Sequence, residues 1–154
     1  MPTRPPAPPP TSAAVPSPAE ARQAPGTGSV APMPVDFDTL MQAHLARVFG
    51  ERDADRRLGA LEELYAGDAT LFEPHAAATG REAISDAVGA LQASLPPGFV
   101  FAAAGPAVGH NGVARLHWRA GPPDGPAAVT GTDVAHVENG KIKALHVFLD
   151  PAPR

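Results

Sequence analysis

Val113-Ala-Arg-Leu-His-Trp-Arg-Ala120 alternates strictly between two unlike sets of side chains. Arg115, His117 and Arg119 fall on one side of an extended chain, and Leu116 and Trp118 on the other. That period of two predicts a strand with one polar and one apolar face. The residues around it repeat the pattern. Asn111-Gly112 stands immediately before it, and Gly121 to Gly125 follows. Ala128 to Val137 is a second alternating run, Glu138-Asn139-Gly140 a second turn, and Lys141 to Leu149 a third run; Phe99 to Val108 precedes the set. Asn-Gly between alternating apolar runs is the strongest local hairpin signal, because both turn residues must adopt positive φ. The C-terminal third is therefore expected to be an antiparallel meander of four strands.

Working back toward the N-terminus, the period changes. Phe37, Leu40, Met41, His44, Leu45, Val48 and Phe49 recur at helical spacing behind Asp36 or Asp38 as N-cap, and Gly50 ends the run. Asp53 caps a second helix whose apolar side is Leu58, Leu61, Leu64 and Tyr65, with Gly67-Asp68 as its breaker. Ala69 to Glu73 reads as a strand stopped by Pro74. Ala76 to Thr79 is a short connection or a small second strand. A third helix, Arg81 to Leu95, carries Ala83, Ile84, Ala87, Val88 and Leu91 on its apolar side and ends at Pro96-Pro97-Gly98. The order helix, helix, strand, helix, meander is an α+β layout with the helices packed on one face of a curved sheet.

Residues 1–35 differ in kind. They hold 11 of the 20 prolines and no aromatic, Leu or Ile. Such a stretch cannot bury enough apolar surface to offset its ordering entropy, so it is expected to be a disordered, partly polyproline-II tail. Pro5-Pro6-Ala7-Pro8 fits a PxxP docking motif, against which stands the reading of an inert tail; a translation start at Met33 is the further alternative. The folded domain is expected over residues 36–151. The 154 residues contain no cysteine, which excludes disulfides and thiolate chemistry. A net charge of −4 argues against nucleic acid as the partner. No apolar run reaches the ~18 residues of a membrane span, and prolines interrupt every candidate signal sequence, so no membrane association and a cytoplasmic location are expected. His44, His75, His110, His117, His136 and His146 show no HxH or HExxH spacing, and no metal is expected.

Several segments resemble one family. Leu64-Tyr-Ala-Gly-Asp-Ala-Thr-Leu-Phe-Glu-Pro74 and Gly80-Arg-Glu-Ala-Ile84 are similar to elements of the NTF2-like superfamily. So are Gly131-Thr-Asp-Val134, Glu138-Asn-Gly-Lys-Ile142 and Phe148-Leu-Asp150. The branch most resembled is the SnoaL-like one, related to ketosteroid isomerases and polyketide cyclases. The resemblance implies an NTF2-like cone: three helices on a curved, antiparallel-rich sheet around an internal pocket for a small apolar molecule. It further implies cofactor-free acid/base catalysis of an isomerase, cyclase, dehydratase or hydrolase type. A non-catalytic binding or dimerisation module on the same fold is the alternative, because this fold carries many functions.

Three acids are candidates within that frame. Glu73, before Pro74, resembles the proton-shuttling base of ketosteroid isomerases; the competing reading is a solvated strand-end acid or a partner of Arg81. Desolvation against an apolar pocket would raise its pKa and allow proton exchange near neutrality. Asp133 sits mid-strand on the apolar side with Val129, Gly131, Ala135 and Val137, where a lone carboxylate is costly and must be protonated or hydrogen bonded. The resemblance implies a protonated hydrogen-bond donor; the competing reading is a structural Asp bonded to a His or Trp inside the cone. Asp150 resembles the acid/base Asp of polyketide cyclases, or else it caps the strand end before Pro151. Where the isomerases carry a tyrosine on the first helix, this chain has Phe49, and its single tyrosine is Tyr65. Phe49, Tyr65, Phe72, Leu116, Trp118 and His146 are the residues expected to border substrate. Finally, Lys141 to Leu149 is apolar on both sides, with Leu145, Val147 and Leu149 on one and Ile142, Ala144 and Phe148 on the other. A second apolar side on a single sheet predicts a homodimer through the outer face.

Overall fold

The computed structural model describes residues 2–8 and 34–151. The expected disordered tail falls mostly on residues outside that set. The chain divides into two units, Met1–Pro34 and Val35–Arg154, and the second carries every helix and strand described below.

Helix α1 spans Phe37–His44, with the Asp36 carboxylate accepting from Thr39 N–H at 3.0 Å as its N-cap. The same helix does not stop at His44. It widens into a π-helical turn, Leu45–Phe49, closed by Gly50 N–H donating to Leu45 O at 2.9 Å. Asp53 caps α2, Ala54–Leu64, through Arg56 N–H at 2.9 Å. Strand β1 then runs Tyr65–Glu73 and turns through Pro74-His75 into β2, Ala76–Thr79. Helix α3 is Arg81–Ser94. Five more strands follow: β3 Val100–Ala103, β4 Val108–His110, β5 Val113–Gly121, β6 Val129–Glu138 and β7 Lys141–Leu149.

All seven strands join one sheet in the order β2-β1-β7-β6-β5-β3, with β4 also on β5. Every pair is antiparallel except β1 with β7. The fold class is thus α+β with a mostly antiparallel open sheet, as the sequence pattern implies. Both Asn-Gly turns take the expected mirror-image form: Asn111 and Gly112 have φ of 50° and 78°, and Asn139 and Gly140 of 53° and 77°.

Three expectations about elements need correction. Tyr65 does not continue α2; it opens β1, because its backbone pairs with Ile142 of β7, a contact made far along the chain. Residues 99–108 are not one strand. Gly105, at φ 119°, interrupts the run, and β3 and β4 pair with different parts of β5. Ile142 does not face outward: a register shift between His136 and Val137 turns it into the core, where it is fully buried.

One face of the sheet packs on the helices. On β5 the buried residues are Ala114, Leu116, Trp118 and Ala120, while Val113, Arg115, His117 and Arg119 are exposed. Met41 and Val48 from the α1 region, Leu61 of α2, and Ile84 and Val88 of α3 meet Leu71, Leu116 and Leu145 in one core. Each such side chain stabilises the fold by about 1.5–3 kcal/mol through removal from water. Among the described residues, no helix is long and apolar enough to cross a membrane.

Candidate functional site

Packing between the π-helical turn, the end of α3 and the inner sheet is incomplete. A cavity of about 210 Å³ remains there. Leu45 and Phe49 border it from the π turn, Leu91 and Leu95 from the third helix and its end, and Phe101, Trp118, Val129, Val147 and Leu149 from the sheet. With more than four residues per turn, the π turn brings Leu45 and Phe49 both to the cavity. The aromatic rings adjoin in sequence: Phe49 to Phe101 at 6.0 Å and Phe101 to Trp118 at 5.7 Å between centroids, both edge-to-face.

Two carboxylates border this apolar space, Glu73 and Asp133. Their situations differ. Asp133 is buried, and each of its oxygens is engaged. Trp118 Nε1–H donates to Oδ1 at 2.8 Å, and Oδ2 lies 2.8 Å from His44 Nε2. His44 Nδ1 in turn lies 2.6 Å from the Tyr65 hydroxyl, and both residues are fully buried. The donor inventory assigns the protons. Burial, with the Asp133 charge nearby, holds the Tyr65 phenol well above its ordinary pKa, so it keeps its proton, and with Nδ1 as the one partner of that hydroxyl among the described residues it donates there. Nε2 then carries the imidazole proton and donates to Asp133, which accepts at both oxygens. Both Asp133 oxygens are thus engaged within the protein, unlike the free pocket-facing donor that the resemblance implies. The geometry is that of the competing reading, an Asp bonded to a His and a Trp.

Glu73 has no side-chain hydrogen-bond partner among the described residues. It ends β1 with Leu71 on the inner side, half-buried, and burial raises its pKa above the ordinary carboxylate value. The expected alternative, a pair with Arg81, does not form: Arg81 donates instead to the carbonyls of Tyr65 and Glu62.

The other expected residues are scattered. Phe49 and Trp118 border the cavity. Leu116 is buried in the core rather than at the cavity wall, and Tyr65 reaches the site only through His44. Phe72 and His146 lie on the opposite, outer face of the sheet, stacked at 4.6 Å with Phe148 beyond, so neither borders the cavity. Alternation decides this: Leu71 and Glu73 face inward, and Phe72 cannot. Asp150 is also corrected. It is exposed, accepts from Thr130 Oγ1 at 2.7 Å and donates its N–H to Thr130 O at 3.0 Å, stapling the end of β7 to β6. His44 is the site residue that sequence reasoning misses. Its one signal is a polar side chain within an apolar helical stripe. Among the described residues no three His, Asp or Glu side chains converge on a common point as metal ligands would.

The model of the SnoaL-like domain family matches residues 42–145. The fold is similar to a crystal structure described as a candidate isomerase of the SnoaL-like family from Agrobacterium tumefaciens. The two are 31% identical, the match covers 73% of this chain and 96% of that one, and the TM-score is 0.68. A candidate ketosteroid isomerase from Kribbella flavida is 15% identical over 77% of this chain and 80% of its own, with a TM-score of 0.58. A candidate polyketide cyclase from Sinorhizobium meliloti is 18% identical over 73% and 95%, with a TM-score of 0.56. These last two share the fold. No curated protein matches the chain.

Proposed function

Since the chain belongs to the SnoaL-like domain family, we propose that it is a small-molecule enzyme that moves a proton with Glu73. The reaction is of the isomerase, cyclase, dehydratase or hydrolase type, needs no cofactor, and takes place in the cavity. The observation that carries this reading is a carboxylate without a partner among the described residues, at the wall of an apolar cavity, with its pKa raised by burial. Desolvation makes the ionised form a stronger base, so Glu73 can take a proton from substrate and return it to another atom. At about 210 Å³ the cavity lies below the ~300–1,000 Å³ of drug-sized sites, which supports a small substrate rather than a fused-ring one. Asp133, at the wall, holds Trp118 in place, with His44 behind it. The protein is read as a cytoplasmic homodimer paired through the outer sheet face. Glu73→Gln keeps the shape and removes the base, so turnover of any substrate found by screening should fall about 10²-fold or more; an unchanged rate would remove Glu73 from the mechanism.

Two observations favour the second reading, a binding module without catalysis. Both Asp133 oxygens are occupied, and Phe49 offers no hydroxyl where the isomerases have one. On that reading a small molecule raises the melting temperature, as any ligand selective for the native state must, and is recovered unchanged. Product formation from a stabilising ligand refutes it.

A further inference from the structure

The chemistry of the cavity wall restricts what can occupy it. Of the side chains that border it, only Trp118 has a hydrogen-bond donor, and that N–H is engaged by Asp133. The groups behind the wall have none to spare, since His44 Nε2–H and the Tyr65 hydroxyl are each committed to one acceptor. No Lys or Arg borders the space. Arg57 is buried but bound elsewhere, to Ser85 Oγ, Gln92 Oε1 and Glu51 O. An anionic ligand would meet two carboxylates and no donor. A neutral apolar ligand would fill the space and leave the Glu73 carboxylate desolvated and unpaired. A cation is attracted both by the carboxylates and by the π-electrons of Phe49, Phe101 and Trp118.

We propose that the cavity receives a small methylated ammonium, tertiary or quaternary, held between Glu73 and Asp133 and the rings of Phe49, Phe101 and Trp118. This rests on the reading of the cavity as the ligand site. A primary ammonium fits worse, because it brings three donors while the Asp133 oxygens already accept. Methyl groups spread the charge and ask for no acceptor, which suits a wall that is otherwise hydrocarbon. A substrate with its own positive charge also has no need of the hydroxyl that Phe49 lacks.

Isothermal titration of the full chain with choline, tetramethylammonium, dimethylbutanol (the uncharged carbon isostere of choline) and dimethylbutanoate tests it. Choline and tetramethylammonium should bind at least about tenfold tighter than the alcohol, the scale of a desolvated cation–π contact, and the carboxylate should not bind. Glu73→Gln should weaken choline about tenfold and leave the alcohol bound as tightly or more tightly, since no carboxylate is then desolvated beside it. Phe101→Leu should weaken choline as well, with melting curves confirming that both variants fold. Equal affinity for choline and the alcohol overturns the cation and keeps the cavity as a ligand site. Tighter binding of the carboxylate overturns the cation as well. Binding of none of the four overturns the methylated ammonium and leaves the Glu73 reading to its own test. Choline binding that survives both substitutions places the cation elsewhere and also refutes the proposal.

Discussion

Tyr65, His44, Asp133 and Trp118 form a chain in which every buried donor has one acceptor, and its direction is fixed by the phenol at one end and the indole at the other. Asp133→Asn shows what that direction implies. An amide supplies one acceptor where the carboxylate supplied two. If its NH₂ turns to Trp118, two donors face each other. If it turns to His44, the imidazole must change tautomer, and the Tyr65 hydroxyl loses its acceptor. Either way a buried polar hydrogen is orphaned, at about 1–3 kcal/mol. Denaturant unfolding should register that loss; an Asp133→Asn variant as stable as the parent would mean that the chain of hydrogen bonds is absent in solution. Glu73 acts in the opposite sense. Its folded-state pKa is raised above the ordinary 4.5, so the fold favours the protonated form. The associated stability is present in acid and is lost as pH rises from about 4.5 through the folded-state value. At neutral pH the ionised carboxylate therefore weighs against the fold, and Glu73→Gln should leave stability equal or higher there while flattening its acid-side pH dependence. Unfolding curves at about pH 4 and about pH 7 decide it; a variant that is less stable only at neutral pH refutes the direction.

At the scale of elements, Gly131 sets how Trp118 lies. The two residues are cross-strand partners, and a Cβ on Gly131 would stand 2.5 Å from Trp118 Cζ2 and 2.5 Å from the carbonyl oxygen of Phe148. One contact is a ring wedged over β6 and the other is backbone, so neither can yield cheaply. Gly131→Ala should destabilise by about 1–3 kcal/mol, the range of overpacking. It should also change the fluorescence of Trp118, the only tryptophan, as its indole leaves Asp133. An unaltered spectrum would contradict the packing. Elements of this kind are unevenly legible in the sequence. The meander is readable because Asn111-Gly112 and Asn139-Gly140 specify their turns locally, and Asp36 and Asp53 announce the first two helices in the same way. Tyr65 reads as helical because its partner Ile142 lies in a parallel pairing that no local period reveals. The register shift that turns Ile142 inward is equally silent in the alternation of β7. The site is legible in part for the same reason. Glu73 and Asp133 stand out locally as acids at apolar positions, whereas His44 becomes meaningful only when its partner 89 residues away is known.

The whole molecule presents one question that its own core does not answer, the outer face of the sheet. Phe148 and Phe72 are 56% and 38% exposed there, and His146 is stacked between them. Around this aromatic strip lie polar groups already linked to each other: Arg115 donates to His117 Nε2 at 2.6 Å, and His117 Nδ1 reaches Thr132 Oγ1 at 2.7 Å. An apolar centre with a hydrogen-bonded polar margin has the anatomy of an association surface. A second copy of the same face would bring strip against strip, and stable pairing asks for about 1,200–2,000 Å² of buried surface, which an open seven-stranded sheet can offer. The competing occupant is residues 1–35 of the same chain, but they contain no aromatic, Leu or Ile with which to cover Phe72 and Phe148. Light scattering separates the two. The full chain of 15.7 kDa should give about twice that mass, and Phe148→Asp, which places a charge at the centre of the strip, should return it to one chain. A chain starting at Met33 should remain a dimer. If the full chain is a monomer and only the shortened one pairs, the N-terminal residues are the natural cover; if neither pairs at micromolar concentration, the strip is not a homodimer surface.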